Sequence, residues 1–171
     1  MKKAVLIIAP VDFRDEEFLE PKDILEKAGV QVTVASTKPG PAKGRFGATA
    51  KAETGLKDIS VAQYDAFVFV GGSGASVYFD DPQAHRIAQD AVKQCKLLAA
   101  ICVSPVTLAR AGVLRGVRAT VFPDDSAELT KHGAVYTAKP IEIDGNIITG
   151  AGPQAARQFG QAIAAHLSAT A

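Results

Sequence analysis

The sequence predicts an α/β fold, a three-layer sandwich in which a mostly parallel sheet carries helices on both faces. The first observation is that residues 4–9 and 66–70 are continuous apolar runs, typical of strands that are covered on both sides. The second is that such runs alternate along the chain with segments of helical periodicity. The chain has 171 residues, which favours one domain spanning residues 1–171.

The N-terminal half continues from the first strand into a helix at residues 15–28. This helix is expected to end at Gly29, because glycine readily adopts the left-handed conformation that closes helices. A strand follows at residues 31–35. The Pro-Gly-Pro segment at 39–41 then breaks the chain, and residues 43–54 are expected to form a small hairpin at the edge of the sheet.

The rest of the chain repeats the order strand, turn and helix, and an Asp-Gly turn joins the last two strands. The predicted elements are a strand at 66–70, a helix at 82–93, a strand at 97–101, a helix at 103–112, a strand at 117–122, a helix at 124–132, two strands within 141–149 and a helix at 155–167.

Composition excludes several classes of partner and site. Lysine and arginine number 19 and aspartate and glutamate 18, so no basic surface for nucleic acid or an anionic membrane is predicted. No apolar stretch reaches the ~20 residues of a membrane-spanning helix, and no signal peptide is recognisable, so we expect a cytoplasmic protein. The two cysteines and three histidines are too scattered to predict a disulfide, a metal site or a cofactor.

Three segments are expected to meet at the carboxyl edge of the sheet, where ligands bind in such folds. They are the loop after Ala9, the Gly-Gly-Ser-Gly turn after Val70, and Cys102 after Ile101. This edge is the predicted functional site.

Cys102 is the candidate nucleophile, because a buried strand turns directly into a helix at this residue. The helix N-terminus is expected to favour the thiolate, in an arrangement similar to the nucleophile elbow of hydrolases. The alternative is a small buried core residue. Cys95 lacks such a position and is expected to be structural.

Glu17 is the candidate acid or base. It shares an apolar helical stripe with Pro21, Ile24 and Ala28, so it is expected to face inward, where burial raises the pKa of a carboxyl group. The alternative is a helix that starts at Pro21 and a solvated acidic segment before it.

The glycine turn is expected to bring backbone N–H groups to Cys102, where together with the amide of Val103 they form an oxyanion hole. A plain tight turn is the alternative. Ser73 within the turn and Arg45 in the glycine-rich segment are candidate substrate-binding residues, and solvent exposure is the alternative for Arg45.

Four segments together resemble the ThiJ/PfpI superfamily: RDEEFLEP, YDAFVFVGGSG, AAICVSP and the closing IEIDGNIITGAGPQAARQFG. The superfamily includes a parkinsonism-associated deglycase and archaeal intracellular peptidases. The resemblance implies a flavodoxin-like sandwich of the class I glutamine amidotransferase type, usually a homodimer. It also implies a nucleophilic Cys102, an active-site Glu17, and backbone donors at Gly72 and Val103.

Two positions depart from the superfamily pattern. Relatives carry a histidine either directly after the cysteine or before a later proline, where this chain has Val103 and Phe122. Because a cysteine protease needs a base that also protonates the leaving amine, peptidase activity is not expected.

The resemblance and the Cys102–Glu17 pair predict an enzyme that acts on small reactive carbonyls, a glutathione-independent glyoxalase or deglycase without a cofactor. The first alternative is a non-enzymatic redox-sensing stress protein or chaperone in which Cys102 is oxidised. Further alternatives are an intracellular cysteine peptidase or amidase and an isocyanide hydratase.

Overall fold

The computed structural model describes residues 1–170. Its strands, numbered in chain order, are β1 (Lys3–Ile7), β2 (Val11–Phe13), β3 (Gln31–Ser36), β4 (Gly40–Gly44), β5 (Thr49–Ala52), β6 (Thr54–Gly55), β7 (Ala66–Phe69), β8 (Leu97–Ile101), β9 (Arg118–Ala119), β10 (Val135–Tyr136), β11 (Ile141–Asp144) and β12 (Ile147–Gly150). Its α-helices are α1 (Asp15–Lys27), α2 (Pro82–Lys93), α3 (Pro105–Arg110), α4 (Ser126–Lys131) and α5 (Ala156–Ala169).

A central sheet of seven strands has the order β11-β12-β8-β7-β1-β3-β6. All neighbours in it pair in parallel except β11 and β12, which form an antiparallel hairpin at one edge. β1, β7 and β8 lie side by side in the middle, and their residues are almost all fully buried. The predicted α/β fold with a mostly parallel sheet is therefore confirmed.

Helices cover both faces of this sheet. On one face α1 and α5 pack against each other and against a core that includes Phe18, Leu25 and Phe159. On the other face α2, α3 and α4 enclose a second core. Gly160 permits the close contact of α5 with α1, since a Cβ atom there would lie 2.9 Å from Pro21 Cα. None of the helices within residues 1–170 is long and apolar enough to cross a membrane.

The predicted hairpin at residues 43–54 forms, but its place differs from the expectation. It consists of β4 and β5, and β4 pairs in parallel with β2, so these three strands make a separate small sheet. Only β6 extends the edge of the central sheet. The difference arises because the chain after β1 is extended and forms β2, whose backbone pairs with β4. Next to this pair the Lys43 N–H donates to Pro10 O at 3.0 Å.

The prediction of a strand at residues 117–122 is mostly wrong. Only Arg118–Ala119 is a strand, and it pairs with β10 outside the central sheet. The backbone beyond it bonds elsewhere: the Thr120 N–H donates to Thr149 Oγ1 at 2.9 Å, and the Phe122 N–H donates to Cys102 O at 2.8 Å. These long-range bonds replace a regular ladder.

Asp15 ties the small sheet to the start of α1. Its carboxylate accepts the N–H groups of Phe46 at 3.0 Å and Ala48 at 2.8 Å, both in the turn between β4 and β5. Burial raises the pKa of Asp15, but these two donors, the Asp15 N–H and the positive charge of Arg14 together outweigh burial and hold the pKa below its ordinary value. Asp15 thereby fixes the helix that also carries Glu17.

We expect Asp15→Ala to lower the free energy of unfolding by roughly 1–2 kcal/mol at pH 7, because two partly buried N–H groups lose their acceptor. Since the folded pKa is lowered, the stabilisation by Asp15 is present above the unfolded pKa of 3.8 and is lost as the pH falls through the folded value. Urea unfolding at pH 7 and pH 3 measures both effects. Asp23→Ala, an exposed position on the same helix, is the control, and equal losses in both variants would contradict this role.

Candidate active site

Three loops converge at the carboxyl ends of β1, β7 and β8, as the sequence predicts. The loop after β1 leads into α1 and Glu17, the loop after β7 contains the glycine turn, and Cys102 directly follows β8. Hydrogen bonds join these loops. The Arg14 N–H donates to Gly71 O at 2.9 Å, and the Ser104 hydroxyl donates to Val70 O at 2.7 Å.

Cys102 has a strained backbone, with φ of +64°. Such a conformation is uncommon for a residue with a side chain and persists only where the surroundings enforce it. Both of its backbone polar groups are fixed: its N–H donates to Gly150 O at 2.9 Å and its carbonyl accepts the Phe122 N–H. The tight turn between strand and helix has the strained backbone expected of a nucleophile elbow, and the nucleophilic role of Cys102 stays a prediction.

The glycine turn brings Glu17 and Cys102 together because it lacks side chains. A Cβ atom at Gly71 would lie 2.4 Å from Glu17 Oε1 and 2.6 Å from Cys102 Cβ. At Gly74 a Cβ atom would lie 1.9 Å from Val11 O. Gly72 has φ of +106°, which favours glycine. The turn thus serves close approach, as we expected.

Glu17 is completely buried, which confirms that it faces inward. Both carboxyl oxygens lack a hydrogen-bond partner within residues 1–170. Burial raises the pKa of Glu17 from its ordinary 4.5 to about 7. The nearby Cys102 thiol and the positive charge of Arg14 lower this pKa by less than burial raises it.

Burial outweighs the backbone donors at Cys102, which differs from the expectation that its helix lowers the pKa of the thiol. Burial and the negative charge of Glu17 together raise the pKa of its thiol to about 12, and the N–H groups of Gly72 and Val103 lower it by less. The helix α3 begins only at Pro105 and is six residues long. The helix therefore starts three residues after Cys102, and the N–H groups nearest to the sulfur are those of Gly72 and Val103.

Glu17 and Cys102 titrate as one coupled pair. A negative charge on Glu17 raises the pKa of Cys102, so the pair resists losing its second proton. Negative charge on the sulfur is stabilised by the Gly72 and Val103 N–H groups, whereas both carboxyl oxygens of Glu17 lack a hydrogen-bond partner within residues 1–170. The arrangement can therefore transfer the thiol proton to Glu17 when the sulfur attacks an electrophile.

Ser73 and Arg45 lie at the same end of the sheet, but neither forms a hydrogen bond or ion pair with Cys102 or Glu17 among the described residues. Ser73 is exposed and opens a short 3-10 helix after Gly72. Arg45 is exposed, its N–H donates to Phe13 O, and its guanidinium lies 5.9 Å from the Phe46 ring centre. Their substrate-binding roles stay predictions.

Sequence reasoning missed Arg14 and Ser104. Arg14 contributes the nearest positive charge to Glu17, and its own guanidinium bonds to Glu16 at 2.8 Å. Its position directly before the acidic helix start was the available signal. Ser104 fixes the loop after β7, and nothing in its spacing distinguishes this hydroxyl from an ordinary helix cap.

The histidines all lie away from Cys102. His85 bonds to Phe79 O at 2.7 Å, His132 approaches Glu128 at 3.6 Å, and His166 bonds to Asn146 at 3.0 Å. In the part of the chain that the structure describes, no three potential metal ligands cluster. Glu17, and not a histidine, is therefore the acid–base side chain that lies beside Cys102.

Residues 2–166 match the sequence model of the DJ-1/PfpI family. The chain belongs to this family. A ThiJ/PfpI domain protein from Brachyspira murdochii has a similar structure, with a TM-score of 0.96 at 28% identity over 98% of this chain and 96% of that one. The superfamily resemblance and the flavodoxin-like fold are thereby confirmed.

Three family members illustrate the range of similar sequences. An uncharacterised protein of Methanocaldococcus jannaschii is 41% identical over 92% of this chain and 78% of its own length. A deglycase of Pyrococcus abyssi is 31% identical over 85% of this chain and 87% of its own. A glutathione-independent glyoxalase of Caenorhabditis elegans is 28% identical over 92% of this chain and 84% of its own.

We expect Glu17→Gln to stabilise the protein at alkaline pH. Because the folded pKa of about 7 exceeds the ordinary 4.5, the folded wild type binds more protons than the unfolded chain, and its stability falls as the pH rises between these values. The variant does not titrate at this position and keeps its stability. Its free energy of unfolding relative to wild type should therefore rise between pH 4.5 and 7, by at most roughly 3 kcal/mol. Urea unfolding at pH 4.5, 6 and 8 measures it.

The matched control for this titration is Glu20→Gln, an exposed position on the same helix. It should show no gain that grows with pH. A stability difference between Glu17→Gln and wild type that stays constant from pH 4.5 to 8 would contradict the raised pKa.

Proposed function

We propose that the protein is a cysteine-dependent enzyme acting on small reactive carbonyls, with glyoxalase or deglycase activity. The observation that carries this proposal is the pairing of a completely buried, unpartnered Glu17 carboxyl with Cys102 at the carboxyl edge of the sheet. Relatives named deglycase and glutathione-independent glyoxalase support it.

The first chemical step is addition of sulfur to an aldehyde such as that of methylglyoxal. Glu17 takes the thiol proton as the Cys102 sulfur forms a bond to the aldehyde carbon. The carbonyl oxygen gains negative charge, which the Gly72 and Val103 N–H groups stabilise by hydrogen bonding. Glu17 then returns the proton to this oxygen, which gives a hemithioacetal.

The second step moves a proton between adjacent carbons. Glu17 removes the proton from the carbon bonded to sulfur and delivers it to the neighbouring ketone carbon, while a hydroxyl proton shifts between the two oxygens. The first carbon is oxidised to a thioester and the second is reduced to an alcohol, so no external oxidant or reductant is needed. One water hydrolyses the thioester, which releases a 2-hydroxy acid and restores the thiol.

A carboxyl group with a pKa of about 7 suits these transfers, because it is both a usable base and a usable acid at neutral pH. Deglycation of early glycated amines would begin from the same addition to Cys102. The activity therefore requires the pair and the backbone donors, and no cofactor.

The test is turnover of methylglyoxal to lactate by wild type, Cys102→Ser and Cys95→Ser. We expect Cys102→Ser to lose all measurable activity and Cys95→Ser, which changes an exposed thiol, to retain it. Chiral chromatography of the product separates enzymatic lactate from spontaneous reaction. Full activity in Cys102→Ser, or none in the wild type, would reject the proposal.

Glu17 variants test the proton transfer. Glu17→Gln cannot accept a proton, and we expect its kcat to fall by roughly 10²-fold or more. Glu17→Leu should show the same fall in kcat. It should also change the reactivity of Cys102 towards iodoacetamide, since leucine has no hydrogen-bond donor. Wild-type turnover in Glu17→Gln would exclude the base role and favour reversible oxidation of Cys102 as the function.

We expect no endopeptidase activity. A protease must protonate a leaving amine, and the histidines lie elsewhere in the described structure. Casein and peptide amides incubated with enzyme that is active on methylglyoxal should stay intact. Hydrolysis that disappears in Cys102→Ser would show that Glu17 or another group acts as the protease base.

A further inference from the structure

A cavity of about 530 Å³ lies beside the backbone of Cys102. Its walls come from the segment before α4, from the segment before β11, and from the end of β12 with the start of α5. The lining residues are Phe122, Pro123, Ala138, Pro140, Ala151, Gly152, Pro153, Gln154, Ala155 and Gln158.

Backbone hydrogen bonds connect two walls of the cavity to Cys102. The Phe122 N–H donates to Cys102 O at 2.8 Å, and the Cys102 N–H donates to Gly150 O at 2.9 Å, one residue before Ala151. Phe122 also packs in the same apolar cluster as Cys102. The cavity therefore lies beside the segments that hold the Cys102 backbone in place.

The lining has a distinctive chemistry, because none of its residues is charged. Eight of the ten have apolar side chains or none, and the other two are Gln154 and Gln158. A charged ligand group there would lose hydration without gaining an opposite charge. An uncharged, mainly apolar group would be favoured by the hydrophobic effect.

We propose that this cavity binds an uncharged apolar substituent of the carbonyl substrate, of the size of an aromatic ring. The proposal rests on the proposed function, since the reacting aldehyde lies at Cys102 and the substituent extends past Phe122. Methylglyoxal would leave most of the cavity unfilled, whereas pockets of this size usually enclose much larger ligands. The substrate class is then 2-oxoaldehydes with aryl or alkyl substituents.

The first experiment compares kcat/KM for phenylglyoxal, 4-carboxyphenylglyoxal and methylglyoxal, with formation of the 2-hydroxy acids as the measurement. We expect phenylglyoxal to exceed methylglyoxal by about tenfold or more. The carboxylated compound, which differs from phenylglyoxal by one negative charge, should fall well below phenylglyoxal. Equal or lower kcat/KM for phenylglyoxal than for methylglyoxal would overturn the proposal.

A charge introduced into the cavity wall tests the location. Gln158→Lys should raise the ratio of kcat/KM for 4-carboxyphenylglyoxal over phenylglyoxal several-fold, because an exposed wall position gains a positive charge. Gln161→Lys, on the same helix but outside the lining, is the control and should leave this ratio unchanged. The same ratio in wild type and Gln158→Lys would place the substituent elsewhere.

Acetophenone separates failure of this proposal from failure of the proposed function, since it has the ring but no aldehyde. We expect it to shift the backbone amide signals of Ala151, Gly152 and Ala155 in NMR spectra of Cys102→Ser. If no 2-oxoaldehyde is turned over, the proposed function fails, and the acetophenone titration alone decides the cavity. Shifts at these amides support the apolar site, and their absence overturns it.

Discussion

The whole site depends on the contact that Gly71 permits between Glu17 and Cys102. These residues come from different loops, and no side chain fits between them, because a Cβ atom at position 71 would overlap both. The order β8-β7-β1 makes this contact possible, since it places the three loops side by side at one edge. The backbone bond from Arg14 to Gly71 then sets the height of α1 above the glycine turn.

Bringing a carboxyl group to this position has a cost in stability. A buried carboxylate without hydrogen-bond partners is unfavourable, so Glu17 holds its proton to an unusually high pH. The fold offsets this cost nearby. Asp15, two residues earlier, accepts two backbone N–H groups, and the Ser104 hydroxyl satisfies Val70 O. In the proposed function, the carboxyl group that lowers the stability is also the one that moves the protons.

The sequence predicts the central strands and the inward direction of Glu17, because both follow from local periodicity. It also predicts Cys102 at a strand end, since a buried run stops there. It does not predict the pKa of Cys102. That value depends on the burial supplied by distant segments, such as the one that starts at Phe122, and on α3 beginning only at Pro105. For the same reason the sequence does not predict β2 and wrongly predicts a strand beyond β9. Long-range backbone bonds define the structure of both regions.

The raised pKa of Glu17 and the uncharged cavity have a common origin. A carboxyl group acts as a base near neutral pH only where water and counter-charges are scarce, whereas a histidine needs no such surroundings. Because this chain has Val103 and Phe122 near Cys102 instead of histidines, the proposed function relies on Glu17, whose pKa is raised by burial. Phe122 belongs both to the apolar cluster around Cys102 and to the lining of the cavity. The environment that makes Glu17 a usable base is therefore the one that would select an uncharged substrate.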